Sequence, residues 1–165
     1  FNKEYDIFCV NTKKKNHYVD VPRKKAKSIV NYLSSKYKIV TQNLDKQEYT
    51  KIFASSKVCV ACWGYGEWVH MDGYALYAGV ILIKPECDYV KMFPDIYQSH
   101  QRYIPCKADF SDLEEVITNV LNNYDSYRKM LIDNRQFLLE YNEEKTAEIF
   151  WEKVLESYRD YSSQF

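Results

Sequence analysis

Along the chain, short runs of β-branched and apolar residues alternate with longer stretches whose apolar positions recur every three or four residues. That alternation predicts strands separated by helices, and hence a parallel sheet with helices on its faces. Tyr5 to Val10, Lys38 to Val40, Lys57 to Cys62, Val80 to Ile83 and Tyr103 to Cys106 read as strands. Pro22 is expected to start a helix over Arg23 to Lys36, with Ala26, Ile29, Val30 and Leu33 at helical spacing. Asp45 is placed to cap a helix over Lys46 to Ser55. A helix over Glu67 to Ala78 puts Val69, Gly73, Leu76 and Tyr77 on one face, with Gly73 allowing close approach to a sheet and Gly79 standing just past the end. Glu86 to Met92 reads as a short helix and Pro94 with Asp95 as a turn. Ser111 or Asp112 then opens a helix to Asn122 whose stripe is Leu113, Val116, Ile117, Val120 and Leu121. Tyr124 to Tyr141 and Glu144 to Tyr161 close the chain as two amphipathic helices, the last carrying Ile149, Phe150, Trp151, Val154 and Leu155 and expected to pack back across the fold.

The stretch from Ser56 to Pro85 organises the rest. Two apolar strands joined by one helix imply a parallel βαβ crossover, and the turn after the first strand, Trp63 to Gly66, opens on the ligand-binding edge of the sheet. Free amides and the positive dipole end at a helix start there suit a phosphate. Glu67, His70, Met71 and Tyr74 follow at i, i+3, i+4 and i+7, a second face that looks into the cleft. A carboxylate beside a phosphate site suits a hydroxyl-rich group attached to that anion; the plainer alternative is a charge that complements the helix dipole, worth about 0.3–1 kcal/mol. The loop after the first strand, with Asn11, Thr12 and Lys13 to Lys15, joins the same edge, as does Thr41 to Leu44 after the second. Arg23 and Lys24 in a first helical turn oppose the dipole and point to an anion nearby, although a lysine-rich patch is more often only a solvated face.

Composition narrows this only in part. The 165 residues suffice for one domain with a sizeable core, and 23 basic against 23 acidic residues leave no electrostatic reason to expect nucleic acid or a membrane surface as partner. No apolar run approaches the ~18 residues of a membrane span, and no signal peptide is visible. Phe1 stands a few residues ahead of a strand and no initiator Met precedes it, so the chain reads as a piece of something longer. Sixteen tyrosines suggest partly polar aromatic surfaces of the kind that stack on sugars, most of them serving as half-buried packing.

The segment WGYGEWVHMDGYALYAGVILIKP, followed by FPDIY, YIPCKADFSDLEEVI and NYDSYRKM, resembles the nucleotide-sugar-binding half of GT-B glycosyltransferases. The likeness is to the family-1-like transferases of bacteria and of large algal DNA viruses, whose pattern runs roughly GWGE, RDFEAxxAG, LIKPD and WPDIY. It covers about Ser56 to Lys129, and several linked motifs in order are more specific than one glycine motif. Gly64, Gly66, Glu67, Asp72, Ala75, Gly79, Lys84 and Pro85 match; Met71 stands where the family has Arg, and Tyr74 where it has a second Glu. In the wider fold that Glu holds the ribose and that Arg contacts the diphosphate, so both contacts differ here.

What the resemblance implies is an α/β, Rossmann-like three-layer domain with a parallel sheet of about five strands flanked by helices, one half of a GT-B fold, spanning residues 1–165 as a single nucleotide-sugar-binding domain. Its reaction would move a sugar from a nucleoside diphosphate sugar to a glycan hydroxyl. Glu67 and His70 would touch the sugar as catalytic residues. Tyr65, Gly66, Tyr74 and Lys84 would bind the donor, with Lys84 balancing charge on the leaving group, joined by Thr12, Arg23 and Thr41, which the reading of the cleft edge and of the basic helix start adds. No D-x-D metal pair is present, consistent with a metal-independent, cofactor-free transferase, and the acceptor site would lie on a missing N-terminal domain. A terminal helix that crosses to such a domain would leave its apolar face exposed in an isolated piece. Nothing in Thr41 to Leu44 identifies the base. The alternative is a non-catalytic nucleotide-binding or assembly module, which Met71 and Tyr74 favour; another Rossmann-type enzyme such as a methyltransferase would need a glycine-rich loop after Val10, and there is none. Cys59 and Cys62 form C-x-x-C, but on a strand they point to opposite faces, so the five cysteines read as reduced thiols of a cytoplasmic protein, most of them buried.

Overall fold

The computed structural model describes residues 2–10, 17–141 and 143–162. In chain order they form β1 (Tyr5–Phe8), α1 (His17–Tyr32), β2 (Ile39–Val40), α2 (Lys46–Ala54), β3 (Ser56–Val60), α3 (His70–Ala78), β4 (Ile81–Pro85), β5 (Ile104–Cys106), α4 (Leu113–Asn122), α5 (Arg128–Glu140) and α6 (Glu143–Ser162), with 3₁₀ turns at Leu33–Ser35 and Tyr124–Tyr127. The five strands make one all-parallel sheet in the order β2-β1-β3-β4-β5. This is the Rossmann-like three-layer architecture the alternating pattern predicts.

Side-chain alternation builds the layers. Ile7, Val58, Val60, Ile81 and Ile83 point to one face, where Ala26, Val30 and Leu33 of the α1 segment and Leu113, Ile117 and Val120 of α4 close over them. Phe8, Cys59 and Leu82, each one residue out of step, serve the other face. There the Phe8 ring meets Tyr49 and Phe53 of α2 edge-on, both at 5.0 Å between centroids. All five cysteines are buried, Cys62 within the first of these layers and Cys59 outside it, so C-x-x-C is split across the sheet.

Several helix boundaries differ from the sequence reading. Helix α1 begins before Pro22, because a proline disturbs only the turn ahead of it and here that is the first turn. Asp20 therefore occupies the first turn, and Lys24 pairs with it at 2.6 Å; the expected basic first turn is not there. Residues 86–92 form a loop instead of a helix. The cause is Asp88, whose carboxylate accepts from the Ser99 amide and hydroxyl and from the Tyr103 hydroxyl. Burial pushes that carboxyl up, but these hydrogen bonds outweigh it and hold the group below its ordinary range. Gly73 has open space where a Cβ would stand, so close packing does not explain it. The inward positions of α3 are Asp72, Ala75 and Leu76, while Tyr77 is exposed.

Asp45 does cap α2, accepting from the Gln47 and Glu48 amides at 2.9 Å each. Asp45→Ala should cost about 1 kcal/mol and lower the melting temperature by roughly 2–4 °C, read by calorimetry. Gly79 ends α3 at φ 62°, the left-handed conformation that favours glycine.

The chain divides into two compact units, Phe1–Arg135 and Gln136–Phe165. The sheet lies in the first. In the second, α6 carries an exposed stripe of Phe150, Trp151, Val154, Leu155 and Tyr158. Among the described residues no helix is long and apolar enough to cross a membrane.

Candidate functional site

The strand order places a topological switch between β1 and β3. From β1 the chain goes out to β2, and from β3 it goes the other way to β4, so the connections leave the two strands on opposite faces and a crevice opens at their carboxyl ends. The turn after β3 borders this crevice.

Helix α3 starts at His70, three residues later than its periodicity suggests. Val69 is extended at φ −134°, ψ 151°, and its amide donates to Asp72 Oδ2 at 3.1 Å, which fixes the first helical turn at Val69 to Asp72. Glu67 consequently lies in the turn, not on the helix. Gly64 N–H closes the turn onto Gly66 O at 3.0 Å, and a Cβ at Gly64 would come within 3.1 Å of Val69 Cγ1, so a side chain there would crowd the return of the chain.

Six of the nine expected site residues fall around two cavities of about 320 Å³ each. One is lined by Tyr18 and Val19 of α1 and by the turn from Trp63 to Glu67, which brings Tyr65, Gly66 and Glu67 together. The other is lined by Arg23, Tyr49, Val69, His70, Met71 and Tyr74, with Val10 and Cys62. Glu67 and His70 thus border different cavities, which corrects the shared helical face. Arg23 Nε donates to Trp63 O at 3.2 Å and ties α1 to the turn that borders the first cavity. Thr41 lines neither; its hydroxyl donates to Asn31 Oδ1 at 2.9 Å. Thr12 and Lys13 to Lys15 lie outside the described residues.

Lys84 is the largest correction. Expected beside a leaving group, it is fully buried, and its ammonium donates to Asp72 Oδ2 at 2.7 Å and to the Glu67 carbonyl. A cation so committed is an anchor within the domain and not a ligand to a diphosphate. Tyr97 completes the cluster, donating its hydroxyl to Asp72 Oδ2 at 2.6 Å with Glu67 O at 3.3 Å. Burial, and then the Asp72 carboxylate, pushes the Tyr97 phenol up, so it stays a protonated donor.

Toward solvent, the Glu67 carboxylate is lightly held: Tyr89 OH reaches Oε1 at 3.4 Å. Trp68, 45 % exposed, meets the His70 ring edge-on at 4.9 Å, and Tyr65 is 79 % exposed. The crevice therefore offers a carboxylate, an imidazole and several exposed aromatic faces, the mixture that hydroxyl-bearing and ring-containing ligands use.

No model of a known protein family matches the chain, and a search of curated proteins found no match either. Its functional reading therefore rests on its own residues.

Tyr18 and Tyr89 border the candidate site with no signal in the sequence, and Tyr97 ends the FPDIY motif without a role assigned to it there. Tyr97 has a signal all the same: a lysine in a strand buried on both faces demands a buried partner, and Asp72 with a phenol supplies it.

Proposed function

We propose that this domain binds a nucleoside diphosphate sugar in the switch-point crevice and serves as the donor-binding half of a glycosyltransferase. The observation that carries the reading is the glycine turn at the carboxyl end of β3, which borders the crevice with Tyr65, Gly66 and Glu67 on one side while Arg23, His70 and Tyr74 line the adjoining cavity. The diphosphate lies near the turn and the start of α3, and the sugar is directed to Glu67. The glycan acceptor, and any base for an inverting route, belong to a neighbouring acceptor-binding domain.

A nucleoside diphosphate should raise the melting temperature, and the bare nucleoside less. At a hundred times the dissociation constant the stabilisation is about 2.7 kcal/mol, or roughly 5–10 °C for a chain of this size. Thermal shift followed by calorimetry with a panel of bases checks this, and no shift at millimolar nucleotide for any common base overturns it.

Met71 and Tyr74 in the second cavity favour one other reading, a non-catalytic module that holds a nucleotide or a partner. It predicts nucleotide binding without donor hydrolysis.

A further inference from the structure

We propose that Lys84, Asp72 and Tyr97 form a positioning device that grips the glycine turn by its backbone and holds the Glu67 wall of the crevice in place. Taking an ion pair out of water costs several kcal/mol per ion, so an apolar pair of similar volume would join β4 to α3 as well or better. What an apolar pair could not do is bind main chain. Here Lys84 donates to the Glu67 carbonyl and Asp72 accepts from the Val69 amide, with Tyr97 donating its one proton to Asp72, so the cluster grasps the chain on both sides of Trp68. Asp72 Oδ2 takes three donors while its buried Oδ1 has none, a lopsided arrangement that serves the turn and not the solvation of the carboxylate. Arg23 holds Trp63 O at the other end of the turn. Glu67 is thereby offered to the crevice from a backbone fixed on each side.

The inference rests on the reading of this crevice as a binding site only for its consequence on ligands; the grip itself is testable without one. In the double variant Lys84→Met with Asp72→Leu no charge is left unpaired, so melting should fall less than in Lys84→Met alone, the remaining loss coming from the Val69 amide, the Glu67 carbonyl and the Tyr97 hydroxyl that lose these partners. The Gly64 amide, bonded to Gly66 O several residues upstream, should nevertheless exchange its hydrogen at least about tenfold faster relative to the amides of α4, the loss of one hydrogen bond to a charged group being of that size. Binding of the nucleoside diphosphate that the parent protein holds best should weaken by a similar factor. Unchanged Gly64 exchange would overturn the proposal and leave the cluster a purely internal brace. Should the double variant not fold, the parent decides: a Gly64 amide that opens together with the Val69 amide, with matching protection across denaturant, supports the grip, and a Gly64 amide that exchanges far faster than Val69 overturns it. If the parent binds no nucleotide at all, the functional reading fails, while Gly64 exchange still separates a grip on the turn from an internal brace.

Discussion

Lys84→Met alone should lower the stability of the protein by about 3–5 kcal/mol, because it removes one partner of a fully buried pair and leaves the Asp72 carboxylate uncompensated. For a chain of this length that is a fall in melting temperature of roughly 6–20 °C, and a large share of the ~5–15 kcal/mol that typical domains possess. Nothing in the solvent can replace the lost ammonium, since both side chains are wholly enclosed. Chemical denaturation of the single variants and of the double variant checks this through their coupling: the two single losses should far exceed the loss in the double. A drop below ~1 kcal/mol for Lys84→Met would mean that water or another cation reaches Asp72, and that the pair is exchangeable like a surface salt bridge.

If the domain handles a sugar donor as proposed, Glu67→Gln should leave the fold intact and slow donor turnover at least tenfold. Among the described residues the side chain makes one long contact, with Tyr89, and burial together with the Glu67 carboxylate pushes that phenol above its ordinary range, so Tyr89 remains a donor to either side chain. The main-chain carbonyl that Lys84 holds is present in glutamine as well. Stability and nucleoside diphosphate affinity should therefore stay near parental values. A charged hydrogen bond to a sugar hydroxyl is worth roughly 1.5–3 kcal/mol, and one that strengthens as the sugar gains positive character appears in the rate, about tenfold to a hundredfold. The measurement is hydrolysis of, or transfer from, a nucleoside diphosphate sugar, alongside melting and calorimetry. Parental turnover would leave Glu67 as a surface charge with no part in the proposed chemistry.

The elements are more legible in the sequence than the roles of their polar residues. Asp45 announces its helix because capping is local: its carboxylate meets amides two and three residues on. Gly79 does so for the same reason. The start of α3 is hidden because Val69 looks like a helical core position, whereas its extended backbone is set by Asp72. The loop over residues 86–92 is hidden because Asp88 is tied to Ser99 and Tyr103, eleven and fifteen residues away, and no local propensity records such partners. Tyr65, Gly66 and Glu67 do border one cavity, as their place in the turn implies, but His70 and Tyr74 border another.

What the sequence by itself determined is the alternating order of strands and helices and, through it, the parallel doubly wound sheet with its glycine turn at the carboxyl edge. Those follow from periodicity and from caps, which act between near neighbours. Only the tertiary structure decided which charges are inside. The pattern of apolar positions assigns neither Lys84 nor Asp72 to the core, and their burial becomes possible once β4 and α3 bring an ammonium, a carboxylate, a phenol and two main-chain groups of the turn within hydrogen-bonding distance. That meeting is what makes Lys84 an anchor instead of a ligand.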